Sequence, residues 1–310
     1  MEHHGIPSDH SPKVKVVDPD SIILIDARQE PDDFPPFQKN EPPQQFRMRF
    51  RKALFLFIAT CLSTWFAQRS LEYTFAVMFI LIAHEMGHFL QALRYGVPAS
   101  LPYFIPMPIT PLGTMGAVIV QGSGVADRKQ MFDIAITGPL AGLVVALPIL
   151  YFGLLQSEIQ EIKPGPDVLR FGDPLILQWM AEYIHGPIPE GHDIMLTPLL
   201  FAGWVGILVT ALNLIPIGQL DGGHILYCLL GKRAHLVAMA ILWVAIVYMI
   251  ATENIAYSLM IVLLLFMGPR HPPTRDDTVP LGWFRIILGW LTLAFIFVGF
   301  TPNPIMAVPQ

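Results

Sequence analysis

The run His84-Glu85-Met86-Gly87-His88 carries two imidazoles and a carboxylate with the types and spacing for metal-assisted hydrolysis. Residues four apart share one face of a helix, so His84 and His88 can present two nitrogens to one ion while Glu85 stands beside them to handle a bound water. The run sits inside the apolar stretch from Tyr73 to Leu93. A His-Glu-His cluster is expensive to bury at membrane depth and does not persist on a lipid face without a compensating role. Catalytic zinc takes three protein ligands and keeps one position open, so a third ligand must come from elsewhere. The outstanding candidate is Asp221, in Asn213-Leu-Ile-Pro216-Ile-Gly-Gln-Leu220-Asp221-Gly222-Gly223. There a proline, an aspartate and three glycines interrupt a long apolar run, which reads as a broken helix at a site. Asp133 and Glu253, at the ends of apolar spans, are weaker candidates, and His224 is either an outer partner of the ion, an alternative ligand or a solvated interfacial histidine. His3, His4 and His10 read as solvated.

These residues need elements to hold them, and the composition says which kind. Of 310 residues, 53% are hydrophobic and only 14% charged, with a mean hydropathy of +0.52. Soluble domains carry about 25% charged residues, so an ordinary soluble globular protein is excluded. Apolar stretches of membrane-crossing length recur after residue 50. The expected spans are Ala53 to Ala67, Tyr73 to Leu93, Met131 to Leu155, Thr197 to Ile217, His235 to Ile250, Ile255 to Met267 and Trp283 to Phe300. The fold class is therefore an all-α polytopic membrane protein of about six to seven transmembrane helices, with a broken active-site helix. Arg47, Arg49, Arg51, Lys52, Arg94, Arg128, Lys129, Lys232, Arg233, Arg270 and Arg275 all fall on one side of these spans, which is then cytoplasmic. Asp221 closes the fourth span on the side where the second places His88. A net charge of −5 supplies no basic stripe, so nucleic-acid binding is not expected. Cys61 and Cys228 offer neither a disulfide framework nor a thiolate metal site.

Three segments depart from helical spans. Residues 1–50, with Pro35, Pro36, Pro42, Pro43 and many polar residues, read as a disordered cytoplasmic tail ahead of a membrane-embedded domain at 51–310. The tail is not Arg-rich and acid-poor like a transit peptide, which favours a bacterial inner membrane over a plastid. Leu101 to Gln121 has four prolines, then Gly113 and Gly116, then β-prone Ala117 to Val120; this favours a re-entrant or β-hairpin-like segment. The loop from about 156 to 196 is acidic and lies on the far side.

The paired motifs resemble the site-2 protease family of intramembrane zinc metalloproteases, peptidase family M50. His84-Glu85-x-x-His88 in one membrane helix is followed by Asn213-x-x-Pro216-x-x-x-Leu220-Asp221-Gly222 in a later one, with Gly138-Pro139-Leu140-Ala141-Gly142 opening a helix between them. The similarity covers roughly 75–230, around a core at about 73–230. It implies that His84, His88 and Asp221 bind one Zn2+, that Glu85 is the general base, and that Asn213 holds substrate or the oxyanion. Many members have asparagine where Gly142 stands. The run Gly113-Thr-Met-Gly116-Ala117, with Asp127-Arg128-Lys129, resembles the branch without PDZ or CBS domains, and no stretch is long enough for such a domain.

The expected reaction is hydrolysis of peptide bonds in transmembrane segments of other proteins, with those substrates and the lipid bilayer as partners and the oligomeric state left open. A helical substrate must unwind before water can attack, and an extended edge could hold it by strand addition. Leu101 to Val120, with Gly113 and Gly116 as substrate contacts, is the candidate. Gly138 and Gly142 form a small-x-x-x-small pair for close helix packing. A transporter or metal-handling protein is the alternative, because discontinuous helices with midplane carboxylates also mark ion pathways; it leaves Glu85 unexplained. A relative that binds membrane substrates without cutting them is a third reading, against which the intact ligand set argues.

Overall fold

The computed structural model describes residues 43–122, 124–161 and 169–307. Most of the N-terminal tail therefore lies outside the described residues, as do Lys163 and Asp167 of the acidic loop. Helix α1 (Pro43–Gln68) already starts within the stretch read as tail. Helix α2 (Leu71–Tyr95) begins where the Ser70 hydroxyl accepts from the Tyr73 amide and ends at Gly96, whose φ of 65° suits a residue without Cβ. Its last residues precede a hairpin of β1 (Tyr103–Met107) and β2 (Gly113–Val118), antiparallel, with Tyr103 opposite Val118 and Met107 opposite Gly113. The register slips between Phe104 and Pro106, where proline has no amide hydrogen for the ladder. Side chains tie the hairpin to the two helices: Ser63 Oγ donates to the Gly113 carbonyl at 2.6 Å, Gln68 Nε2 to that of Pro111 at 2.7 Å, and Tyr73 OH to that of Leu112 at 2.7 Å.

Helix α3 (Arg128–Leu155) starts on a reciprocal cap between Asp127 and Gln130. Helix α5 (Pro198–Asn213) starts at Thr197, whose hydroxyl accepts from the Leu200 amide. Together α2, α3 and α5 form the centre of the molecule, and glycines set their spacing. A Cβ on Gly203 would stand 2.6 Å from the Leu150 Cα, and one on Gly206 2.8 Å from Ile80 Cδ1. Close backbone approach of this kind is how membrane helices gain packing energy, since lipid tails are as apolar as the side chains.

After α5 the chain turns through Leu214 to Leu220 and re-enters helix α6 (Asp221–Leu230), which a single 3-10 turn (Gly231–Arg233) joins to α7 (Ala234–Thr252). Helices α8 (Ser258–Met267) and α9 (Trp283–Gly299) follow. The expected fourth span thus stops at Asn213, and Asp221 opens a helix instead of closing one. Gly222 and Gly223 explain the reversal: a Cβ on either would overlap the carbonyls of Leu214 or Gly218, so only glycine lets the turn fold back under α6.

Among the described residues, four helical runs are long and apolar enough to cross a membrane: Arg49–Gln68, Leu71–Tyr95, Arg128–Leu155 and Asp221–Thr252. This is fewer than the expected six or seven. At 16, 10 and 17 residues, α5, α8 and α9 fall short of the roughly 20 that cover the hydrocarbon core. The chain is a polytopic, mostly helical membrane protein with a broken helix beside its polar cluster. The described parts of the acidic loop are themselves folded. They hold β3 (Ile159–Glu161) paired with β5 (His192–Ile194), helix α4 (Leu175–His185), and β4 (Leu169–Phe171), which pairs with the C-terminal β6 (Ile305–Ala307). These pairings qualify the all-α expectation; they join segments too distant in sequence for hydropathy to reveal.

Candidate metal centre

His84 and His88 lie one turn apart on α2, facing α3, and both are buried. Asp221, the first residue of α6, reaches the same point from the other side of the broken helix. His84 Nε2 lies 3.1 Å from Asp221 Oδ2 and 3.3 Å from His88 Nε2, and His88 Nε2 lies 3.2 Å from Asp221 Oδ1. A tetrahedral zinc with bonds of 2.0–2.1 Å needs donors about 3.3–3.4 Å apart, so the three donors stand close to the edge lengths of one such face. No other group of three potential metal ligands gathers in this way among the described residues. The orientation is held from behind: His88 Nδ1–H donates to the Ile134 carbonyl at 2.7 Å, which leaves Nε2 as the free lone pair. The donor set fits zinc in number, type and spacing.

Helix α3 reaches this pair with glycine. A Cβ on Gly138 would overlap the His88 ring, and one on Gly142 would stand 3.1 Å from His84 Nδ1 and 3.3 Å from His84 Cβ. The two glycines repeat the four-residue spacing of the histidines and run past them in the opposite direction. The small-x-x-x-small pair thus packs on the ligands themselves, and its spacing, matched to that of the histidines, is the sequence signal that it seats the imidazoles. Gly87 belongs to the same contact. A Cβ there would overlap the Thr137 carbonyl, and Thr137 Oγ1 donates to the Gly87 carbonyl at 3.0 Å. Sequence reading missed Thr137 and the Ile134 carbonyl, the latter because a main-chain acceptor leaves no mark in residue types.

Glu85 is 4% exposed and lies near enough to His84, His88 and Asp221 to interact electrostatically with each. No group among the described residues hydrogen-bonds it. A buried carboxylate without a partner is costly to keep. The Asn213 amide nitrogen, at the last turn of α5, lies 3.4 Å from His84 Nε2. Gly113 and Gly116 are not part of this cluster. Gly113, at φ 71°, is pressed on α1, where a Cβ would stand 2.5 Å from Thr64 Cα. A Cβ built on Gly116, at φ 94°, would meet only Val209 Cγ1 of α5, at 3.9 Å and one turn before Asn213.

The weaker candidate ligands are engaged elsewhere. Asp133 is held by Arg285 and Tyr95, Glu253 ends α7, and His224 pairs with His271 of the loop before α9.

A family model described as Peptidase family M50 matches residues 72–253, more than half of the chain and all five of His84, Glu85, His88, Asn213 and Asp221. The chain belongs to peptidase family M50. Among curated M50 relatives, "Probable zinc metalloprotease EGY1, chloroplastic" of Oryza sativa subsp. japonica is 36% identical over 54% of this chain and 30% of the relative. The protein of the same name from Arabidopsis thaliana is 30% identical over 77% of this chain and 44% of the relative. "Probable zinc metalloprotease EGY2, chloroplastic" of Arabidopsis thaliana is 28% identical over 74% and 42%. This M50 chain thus aligns with less than half the length of these relatives. No solved structure matches it.

Proposed function

We propose that the chain is an intramembrane zinc endopeptidase that hydrolyses peptide bonds in or near transmembrane segments of other proteins, in regulation or in quality control. The observation that carries this reading is the buried Glu85, with no hydrogen bond among the described residues, beside three donors spaced for one zinc ion. Zinc in such a site lowers the pKa of a water to about 7 and polarises a carbonyl. Glu85 takes the water proton and hands it to the leaving amine. The Asn213 amide, fixed by the end of α5, donates to the carbonyl oxygen as negative charge builds there. His88 is kept in one tautomer by Ile134, so its role does not change through the cycle.

Strand addition to the hairpin presents an unwound substrate to the site. Gly116, where a Cβ would come within 3.9 Å of Val209 Cγ1 one turn from Asn213, supports β2 as the strand that leads to it. We place the hairpin at membrane depth and count six or seven crossings by including α5, α9 and α8, whose apolar sequences suit tilted or partial spans. We place the start of α1 on the cytoplasmic side, where the Lys and Arg residues gather. The membrane is a bacterial inner membrane in this proposal, whereas the named relatives are chloroplastic; fractionation of the source cells tests it.

The deciding experiment compares wild type with Glu85→Gln in vesicles holding a single-span substrate. Retained zinc with lost cleavage is the expected result. Unchanged cleavage in Glu85→Gln would remove Glu85 as the general base, and zinc flux across the vesicle wall without proteolysis would replace this reading with the transporter alternative.

A further inference from the structure

We infer that Arg285, on α9 and beyond the residues matched by the M50 model, is a positioning residue for the metal ligand His88. The inference rests on reading His84, His88 and Asp221 as a zinc site. Arg285 is the one charged residue of α9, a helix otherwise built from apolar, aromatic and small residues, with one threonine. An arginine in such a helix is costly unless paired. It is paired in bidentate fashion: Nε donates to Asp133 Oδ1 at 2.7 Å and Nη2 to Oδ2 at 2.9 Å. The Tyr95 hydroxyl donates to the same Oδ2 at 2.5 Å. Tyr95 lies two turns beyond His88 on α2.

Three consecutive residues of α3 then have three linked tasks. Phe132, fully buried, meets Gly289 of α9, where a Cβ would stand 2.8 Å from Phe132 Cε2. Asp133 takes Arg285 and Tyr95. Ile134 offers the carbonyl that orients His88. Helix α9 therefore grips α3 at the two residues before that carbonyl, and Tyr95 ties the same turn back to the helix that bears the ligand. Removing the guanidinium leaves the Asp133 carboxylate, 13% exposed, with a phenol as its only side-chain partner among the described residues. The turn of α3 must then move toward water, and the His88 acceptor moves with it.

The test measures the zinc dissociation constant of the detergent-purified full chain by chelator competition, with the absorption bands of the cobalt-substituted protein as a record of ligand geometry. Arg285→Leu, monodisperse, should bind zinc about 10- to 100-fold more weakly and shift the cobalt bands, the usual penalty for losing an outer-sphere partner. Arg285→Lys keeps the charge but loses the fork, and should fall between the two. Arg170→Gln, which breaks an exposed pair with Asp193, should leave both readouts unchanged. If Arg285→Leu does not fold, Arg285→Lys and Tyr95→Phe decide, each expected to weaken zinc by about threefold or more. A folded Arg285→Leu with wild-type affinity and bands, or wild-type behaviour of both milder variants, overturns the inference and leaves the site reading intact. Wild type that binds neither metal overturns the site reading and this inference with it.

Discussion

The seating of the imidazoles on glycine makes a graded forecast for two substitutions of the same size. A methyl group at Gly138 would occupy the space of the His88 ring, while one at Gly142 would meet His84 at 3.1–3.3 Å, a contact that a few tenths of an ångström relieve. In Gly138→Ala the ring must leave the donor cluster or α3 must back away from α2. Forced overpacking costs about 1–3 kcal/mol, and the bond from His88 Nδ1 to the Ile134 carbonyl, lost in either case, is worth about 0.5–1.5 kcal/mol. Charged against the zinc-bound state at 1.4 kcal/mol per decade, the sum weakens zinc about tenfold to a thousandfold. Gly142→Ala should stay within about tenfold of wild type, since the neighbour has only to yield slightly. Chelator competition on monodisperse detergent-purified protein, with zinc content by elemental analysis, reads both. Wild-type affinity in a folded Gly138→Ala, or equal losses in the two variants, would refute the argument that Gly138 is the closer seat.

Three further outcomes follow from the same geometry. Stripping metal with a chelator should lower the unfolding temperature of wild type and be reversed by zinc, because zinc binds only the folded cluster; Asp221→Ala should show neither effect. Gly113→Ala places a Cβ against α1 at a positive φ, and should cost about 1–3 kcal/mol in thermal or denaturant unfolding while leaving zinc content unchanged. Burial, and next the neighbouring His224, press the pKa of His271 from 6.5 to about 3. Below its unfolded value the unfolded chain takes up a proton that the folded chain refuses, so stability should fall by about 1.4 kcal/mol per pH unit from about 6.5 toward 3. A folded His271→Gln should show a shallower acid slope; one equal to wild type would count against the buried neutral imidazole.

The cluster was legible before any coordinates because each ligand sits where its type is out of place: two histidines in an apolar span, and an aspartate in a run broken by Pro216 and glycines. Helical spacing joined His84 to His88 without further information. Asp221 joined them through the need for a third ligand and the side on which its span was expected to end, and the resemblance of the paired motifs pointed to the same residue. The span count was less legible, since hydropathy marks α5, α8 and α9 as apolar but cannot tell a full crossing from a short buried helix. The same limit merged α5 with the turn after it, where the reversal depends on Gly222 and Gly223 meeting carbonyls of the preceding turn.

Sequence alone thus determined the membrane class and the i,i+4 histidine pair and singled out Asp221 as the third candidate, because these rest on composition, helical period, side-chain chemistry and the resemblance of the paired motifs. Tertiary structure alone decided the three donor distances, the carbonyl of Ile134 behind His88, the glycine seats on α3 and the reach of Arg285 from α9 to Asp133. Each of these is a meeting of main-chain groups or of residues far apart in the chain. Main-chain acceptors carry no residue signature, and the space left by a missing Cβ has meaning only once a second helix fills it.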